Sequence, residues 1–326
     1  MSFATTYLNT WQDTWVKATT PVSYERGWLR ALRDLLAHGG PAILNGAVSA
    51  DRGYVDLVAT AILRRRGGTV VLADATWEPG SRKLDRLLRS SERASGSDAA
   101  PISRPPIVHG LMRLIDGPTV HYAVLSTNEL TTFPALWGVD PDRVHFVPFC
   151  ATSRDLTTKS AGGGGVFAGG NSLRDYRALV EASSRLESRL TIATALPLPP
   201  TTGIDAGPLP REEYDKRAAA ADVVVVPLLA DSVRSGGQQT YLNAMLRGQA
   251  VVATEAPGVR DYIETGVTGL IVPNEPDALV DAVRSLMTSP ALRRRLGEAA
   301  RAAVLERFTL ADYYNRLLAL AAHVTA

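Results

Sequence analysis

The feature that most constrains the fold of this chain is a repeated alternation between short apolar runs and longer stretches with helical periodicity. The apolar runs, such as ADVVVVPL in the second half, are hydrophobic at nearly every position rather than at every second position. Strands of this kind are buried on both faces, as in parallel sheets that carry helices on both sides. The pattern predicts an α/β protein built from doubly wound parallel sheets.

The alternation is interrupted by a segment without periodicity that ends in consecutive glycines, Ala151–Gly165. A chain of 326 residues also exceeds what one hydrophobic core usually serves. We therefore predict a first Rossmann-like domain over residues 1–153, a linker over residues 154–165 and a second domain over residues 166–309. The C-terminal helix, residues 310–326, is expected to join the first domain.

The first half opens with the polar and aromatic run MSFATTYLNTWQDTW, which has no strand pattern. The first convincing strand begins only at Pro41, so the sequence predicts no strand before that residue. The later strands of the two halves are expected to begin near Thr69, His121, Val144, Gly165, Arg189, Asp222, Ala250 and Gly269.

Composition limits the classes of partner. The net charge of +2 gives no global attraction for nucleic acid, and Cys150 is the sole cysteine, so neither an internal disulfide nor a cysteine-based metal site is expected. No apolar run approaches the ~20 residues of a transmembrane helix, which favours a cytoplasmic protein and leaves peripheral membrane contact open. The basic stretch Arg82–Arg93 fits a solvated helix face, with an anionic acceptor or membrane surface as the alternative.

A candidate anion site follows the strand ADVVVVPL, where the polar loop Asp231–Gly237 leads into the helix QQTYLNAMLRG. The start of a helix offers free backbone N–H groups and the positive end of the helix dipole, which together favour a phosphate. A tight turn without any ligand would need the same glycines. The candidate diphosphate contacts are Arg234, Ser235, Gly236, Gly237 and Gln238.

A longer order of motifs surrounds this loop: VVVVP, NAMLRG, AVVATEAPG and ETGVTGLIVPNEPDAL. This set resembles the donor-binding domain of family 4 glycosyltransferases, also called glycosyltransferases group 1. The resemblance implies the GT-B fold, in which two Rossmann-like doubly wound domains face each other across a cleft. It also implies that the first domain binds the acceptor and the second binds a nucleoside diphosphate sugar.

The resemblance extends to single residues with one departure. The family usually has two glutamates eight positions apart, which contact the donor sugar and the ribose, and here Ser235 and Asn243 stand at those positions. The family also places basic residues after a glycine pair to hold the diphosphate, and GGNSLRDY supplies Arg174. The other donor contacts expected from the resemblance are Gly169, Gly170, Leu209, Gln239, Thr240 and Glu255.

These inferences predict a retaining glycosyltransferase that moves a sugar from a nucleoside diphosphate sugar, with a UDP-sugar favoured, to a hydroxyl acceptor. Arg234 and Ser235 are expected to stabilise the departing diphosphate, and His109 is the candidate catalytic histidine of the first domain. Neither a metal nor a further cofactor is expected. The alternatives are a non-catalytic GT-B partner subunit and a sugar-nucleotide epimerase; a dinucleotide enzyme is disfavoured because no G-x-G-x-x-G follows the first strand.

Overall fold

A computed structural model describes residues 2–7, 13–23, 27–46, 55–77, 112–153, 155–201 and 203–326. The chain divides into two compact units. The first comprises Met1–Val147 and Tyr314–Ala326, and the second comprises Pro148–Tyr313. Each unit contains a six-stranded sheet in which every described strand pair is parallel. The predicted α/β class with doubly wound sheets is confirmed. No helix within the described ranges is long and apolar enough to cross a membrane.

The sheet of the first unit has the strand order β2-β1-β3-β4-β5-β6. Its strands are β1 (Phe3–Thr5), β2 (Thr19–Pro21), β3 (Ala42–Asn45), β4 (Val70–Ala73), β5 (Val120–Val124) and β6 (Val144–Phe146). Its helices are α1 (Asp13–Ala18), α2 (Trp28–His38), α3 (Val55–Arg65) and α4 (Glu129–Trp137). The last helix of the chain is α10 (Leu310–His323), most of which belongs to this unit.

The prediction that no strand precedes Pro41 is wrong. Strand β1 lies between β2 and β3, and Phe3, Ala4 and Thr5 are all at most 5% exposed. The strand is too short for an alternating pattern, and it ends in polar residues that the sheet accommodates through hydrogen bonds. Thr6, directly after the strand, accepts the backbone N–H of Asn45 at 3.1 Å through its hydroxyl oxygen. Local hydrogen bonding thus allows threonines to be buried where a sequence pattern suggests a loop.

The sheet of the second unit has the order β12-β11-β10-β7-β8-β9. Its strands are β7 (Val166–Gly169), β8 (Leu190–Ala193), β9 (Asp205–Gly207), β10 (Val223–Val226), β11 (Ala250–Thr254) and β12 (Leu270–Val272). Its helices are α5 (Arg177–Ala182), α6 (Arg211–Ala220), α7 (Gln238–Leu246), α8 (Pro276–Thr288) and α9 (Pro290–Arg307).

The continuous apolar run of β10 serves two separate cores. Val223 and Val225 belong to the cluster that includes residues of α5 and α8. Val224 and Val226 belong to the cluster on the other face, which includes residues of α7 and α9. Successive side chains of a strand point to opposite faces, so only a strand covered on both sides is apolar at every position.

The glycine-rich segment before β7 is hydrogen-bonded to the second unit. The N–H of Ser160 donates to the carbonyl oxygen of Arg247 at 2.9 Å, and the N–H of Gly164 donates to that of Ala220 at 2.9 Å. The N–H of Gly165 donates to the carboxylate of Asp222 at 3.0 Å. These contacts attach the segment alongside β10 and the end of α7.

Candidate functional site

The candidate site of the second unit lies where the strand order reverses. The chain runs outward from β7 to β9 on one side and then returns to place β10 on the other side of β7. In open parallel sheets, ligands bind outside the carboxyl ends of the two strands at this switch point. The loops after β7 and β10 meet there, because the N–H of Leu229 donates to the carbonyl oxygen of Leu173 at 3.1 Å and the N–H of Asp175 to that of Pro227 at 3.0 Å.

Arg174 places a largely buried guanidinium in this position. Its Nη1 donates to the carbonyl oxygen of Ser172 at 2.7 Å, its Nη2 to Oγ1 of Thr240 at 3.0 Å, and its Nε to the carbonyl oxygen of Gly169 at 3.4 Å. Burial lowers the pKa of Arg174. All three partners are neutral, and no carboxylate of the described residues pairs with this guanidinium. The cation is therefore desolvated without a compensating negative charge.

The two glycines before Arg174 make room for this arrangement. A Cβ atom at Gly170 would lie 3.0 Å from Nη2 of Arg174, and the backbone there has φ +119°. A Cβ atom at Gly169 would lie 2.5 Å from the hydroxyl of Tyr214. Leu173, with φ +52°, then turns the chain at the residue before the arginine. Both glycines were predicted as donor contacts, and the structure gives them a packing role around Arg174 and Tyr214.

Arg234 joins the loop after β10 to the loop after β7. Its Nη2 donates to Oγ of Ser172 at 3.1 Å, and its Nη1 donates to the carbonyl oxygen of Ser235 at 3.1 Å. Ser235 is only 2% exposed, and its hydroxyl accepts a hydrogen bond from Nε2 of Gln238 at 2.5 Å. Gly236 packs against Leu173, from which an added Cβ would lie 3.0 Å away. The structure thus brings Arg174 and Arg234 to the same pair of loops and buries Ser235 beneath them.

Asn243, at the second position where the family has a glutamate, bonds within the second unit. Its Oδ1 accepts the backbone N–H of Thr152 at 2.8 Å, and its Nδ2 donates to Oγ1 of Thr152 at 3.0 Å. The Nε2 of the exposed Gln239 donates to the same Oγ1 at 3.3 Å. These two predicted donor contacts therefore lie on one face of α7 and hold the segment that enters the second unit.

The structure adds Tyr214, which the sequence did not single out. Its ring contacts Phe167 edge-on with the centroids 5.1 Å apart. Burial raises the pKa of Tyr214, so the hydroxyl stays protonated. In the sequence this residue is one aromatic position on an amphipathic helix, which is more often a packing residue. Its place near Thr240 and Arg174, which both lower its pKa against the effect of burial, emerges only from the fold.

The remaining predicted residues lie in different surroundings. Glu255 follows β11, and its two carboxylate oxygens accept from Arg260 at 3.1 and 2.5 Å, with both side chains about half exposed or more. Leu209 packs against the hydrophobic cluster of α7 and α9. His109 lies outside the described residues. Within the described ranges, no three histidine, cysteine or acidic side chains are grouped to hold a metal ion.

The first unit has its own polar group at the carboxyl end of the sheet. The hydroxyl of Tyr7, after β1, donates to the carboxylate of Asp74 at 2.9 Å, and Asp74 has the unusual φ of +56°. Trp77 lies four residues after the end of β4. Its indole N–H donates to the carbonyl oxygen of Gly46 at 2.6 Å, and its ring packs against Phe133 with centroids 5.6 Å apart.

The match to a known protein family lies within the second unit. Residues 206–303 match the family model described as Glycosyl transferases group 1. A D-inositol 3-phosphate glycosyltransferase of Kribbella flavida is 35% identical over 94 residues, which are 28% of this chain. The aligned part spans only 21% of the length of that curated relative.

Solved structures resemble the chain over nearly its whole length. Anabaena HepE, in complex with UDP and glucose, has a TM-score of 0.62 at 14% identity, over 94% of this chain and 86% of HepE. The sucrose-phosphate synthase of Thermosynechococcus elongatus has a TM-score of 0.58 at 15% identity, over 91% and 92% of the two chains. WaaG, a glycosyltransferase involved in lipopolysaccharide biosynthesis, has a TM-score of 0.54 at 12% identity, with full coverage of both chains.

These matches confirm the resemblance expected from the sequence motifs. The family match includes β10, the loop after it and α7, which carry the candidate site. The structural matches extend the likeness to the first unit, where the motifs were weak. The chain therefore has the fold of the GT-B glycosyltransferases, and its residues 206–303 match the family model of the glycosyl transferases group 1.

Proposed function

We propose that this protein is a retaining glycosyltransferase that transfers a sugar from a nucleoside diphosphate sugar to a hydroxyl acceptor. The observation that carries the proposal is the buried guanidinium of Arg174, which has only neutral partners at the switch point of the second sheet. A buried cation without a counter-charge is costly, and a bound anion removes that cost. A diphosphate supplies such an anion, and Arg174 lies where this class of sheet binds ligands.

A UDP-sugar is the donor that we favour. HepE, whose fold this chain shares, was solved in complex with UDP and with UDP-glucose. We propose that the acceptor hydroxyl binds in the first unit, beside Tyr7 and Asp74 at the carboxyl end of its sheet. A carboxylate is a suitable partner for a sugar hydroxyl, since it accepts hydrogen bonds and donates none.

The chemical task is to stabilise the negative charge that grows on the diphosphate as the glycosidic bond breaks. Arg174 is held by Thr240, and Arg234 is held by Ser172, so both guanidinium groups are oriented before the ligand binds. The first backbone amides of α7, beginning at Gln238, add the positive end of a helix dipole. Because these groups are fixed in advance, little reorganisation is needed when the charge develops.

A second candidate function is a GT-B partner subunit that binds the nucleotide without transferring the sugar. The observation that favours it is the pair of neutral residues at the family's glutamate positions. Ser235 is buried and bonded to Gln238, and Asn243 is bonded to Thr152, so neither side chain offers a negative charge to a donor sugar. This function would keep the diphosphate site and lose the chemistry.

The test measures binding and turnover with two matched variants. Arg174→Ala removes the buried cation, whereas Arg177→Ala removes an arginine of the same region that is 79% exposed and paired with Asp175. We expect Arg174→Ala to weaken binding of UDP and of inorganic pyrophosphate by ~1.5–3 kcal/mol, or roughly 10- to 150-fold. Arg177→Ala should leave both affinities unchanged.

Isothermal titration calorimetry with UDP-, GDP- and dTDP-sugars, followed by assays of donor hydrolysis and transfer, separates the functions. Hydrolysis or transfer by the wild-type protein supports the enzyme. Binding without either reaction supports the partner subunit. No binding of any nucleotide or pyrophosphate, or equal affinities of the wild type and Arg174→Ala, contradicts the proposed donor site.

A further inference from the structure

A second guanidinium, that of Arg247, is half-buried at the C-terminal end of α7. Burial lowers the pKa of Arg247. Its carbonyl oxygen accepts the N–H of Ser160, but no hydrogen bond or ion pair reaches its side chain from the described residues. The guanidinium has donors only and no acceptor. Burial removes part of the hydration of this guanidinium, and no described residue of the second unit replaces the lost water with a side-chain hydrogen bond.

The position of Arg247 on the helix relates it to the candidate diphosphate site. Gln239, Asn243 and Arg247 are spaced four residues apart, and Arg247 retains helical backbone angles, so the three share one face of α7. Thr240, which holds Arg174, lies at the start of the same helix. Seven residues of helix separate Thr240 from Arg247, about 10 Å along the axis. A ligand whose diphosphate binds at Arg174 and which extends along α7 would lie beside Asn243 and then beside Arg247.

Helix α6 lies opposite this end of α7. After burial, which is the largest cause, three residues of α6 affect the pKa of Arg247, and they are Asp215, Tyr214 and Arg211. Asp215 is the one carboxylate among them, and it already accepts from Nε of Arg211 at 2.6 Å. Among the described residues of α6, the one carboxylate that affects Arg247 is therefore already paired with Arg211.

We propose that Arg247 is a specificity-determining residue that selects the nucleobase of the donor, a proposal that rests on the nucleotide-binding function above. Its guanidinium donates to a carbonyl oxygen on the edge of the base. Uracil, thymine and guanine present such an oxygen, whereas adenine presents an amino donor at the corresponding position. At that position adenine therefore sets a donor against a donor, and a site built to hydrogen-bond a ligand oxygen discriminates against a ligand that lacks it.

The inference is tested by the affinities of the wild type, Arg247→Ala and Arg247→Lys for UDP, GDP, ADP and inorganic pyrophosphate. Lys216→Ala is the matched control, because it removes an exposed cation from α6. We expect the wild type to bind UDP or GDP at least about tenfold more tightly than ADP, as one charged hydrogen bond allows. Arg247→Ala should lose this preference and should leave the pyrophosphate affinity unchanged.

Each outcome has a distinct meaning. Whichever of UDP and GDP loses affinity in Arg247→Ala identifies the base that the arginine contacts, and Arg247→Lys should recover only part of the loss because it lacks the planar fork. If pyrophosphate binds and Arg247→Ala keeps the wild-type preference for UDP or GDP over ADP, the base-selecting role is wrong while the diphosphate site stands. If the wild-type protein binds neither pyrophosphate nor any nucleotide, the proposed function fails and this inference fails with it. Thermal denaturation confirms that the variants are folded.

Discussion

Replacing Gly237 by alanine tests whether the start of α7 is built as the structure describes. Gly237 is the residue that precedes α7, and its φ of +87° lies in the left-handed region. A Cβ atom there would lie 2.7 Å from Cδ2 of Leu228 and 3.1 Å from Cγ1 of Val226. Both neighbours are at most 1% exposed, so neither side chain can move into solvent. The substitution therefore combines a strained backbone with an overfilled core.

The two contributions can be separated with a second glycine. Gly266 has φ +80°, but a Cβ atom there would meet nothing within 4 Å. Gly266→Ala should cost only the left-handed conformation, about 1–2 kcal/mol. Gly237→Ala should cost that amount and a further 1–3 kcal/mol or so for overpacking. We therefore expect a total destabilisation of about 2–5 kcal/mol at Gly237.

The assay is urea denaturation followed by far-ultraviolet circular dichroism. All five tryptophans lie in the first unit, between Trp11 and Trp137, so tryptophan fluorescence reports on that unit. The second unit contains no tryptophan, so its unfolding transition is seen by circular dichroism and not by tryptophan fluorescence. Equal destabilisation by Gly237→Ala and Gly266→Ala would refute the argument, because the contact with Leu228 would then contribute nothing.

Two further predictions concern single side chains. Asn243→Ala should destabilise the second unit by about 1–2 kcal/mol because it leaves the N–H of Thr152 without its acceptor, whereas Asn243→Asp keeps an acceptor and should change the urea midpoint little. Burial, the neighbouring His145 and the positive Arg143 and His323 lower the pKa of His121 to about 4, below the ordinary value near 6.5. As the pH falls, the unfolded chain therefore takes up the proton on this histidine before the folded chain does, and the first unit should lose stability between about pH 6.5 and about pH 4. His121→Asn should reduce the dependence of the free energy of unfolding on pH, measured by tryptophan-detected denaturation. An unchanged dependence on pH would contradict the assignment to His121.

The strongly apolar elements of the fold are predictable from the sequence. Strands such as β10 and β11 are apolar at almost every position, so their burial needs no knowledge of tertiary contacts. The short strands β1, β2 and β9 were missed because three residues carry no period, and pairing with a neighbouring strand decides their conformation. Helix α4 has a weak local signal, since it contains Pro134 and two threonines, which have low helix propensity.

The candidate site was predictable in part, and the difference has a physical cause. Arg234 was predicted from its place in the polar loop after a strand, and Arg174 and Thr240 were predicted from the family resemblance. Their mutual contacts depend on β7 and β10 being neighbours, although more than fifty residues separate these strands in the chain. Tyr214 and Arg247 were not selected, because one looks like a packing aromatic and the other like a solvated cation. We single out Tyr214 because it is buried, and Arg247 because it is half-buried without a side-chain partner among the described residues. A sequence shows neither burial nor contacts.

The neutral residues at the family's glutamate positions change the charge balance of the site without removing its cations. Ser235 and Asn243 contribute no negative charge, while the largely buried Arg174 after β7 and the half-buried Arg247 after α7 have no acidic partner in the described ranges. A carboxylate close to a diphosphate repels it, so its loss strengthens the hold on the phosphates. The same loss removes an acceptor for sugar hydroxyls. On the proposed function, the site therefore lacks a carboxylate for the donor sugar and one for the ribose, and we expect a nucleotide sugar to be held chiefly through its phosphates.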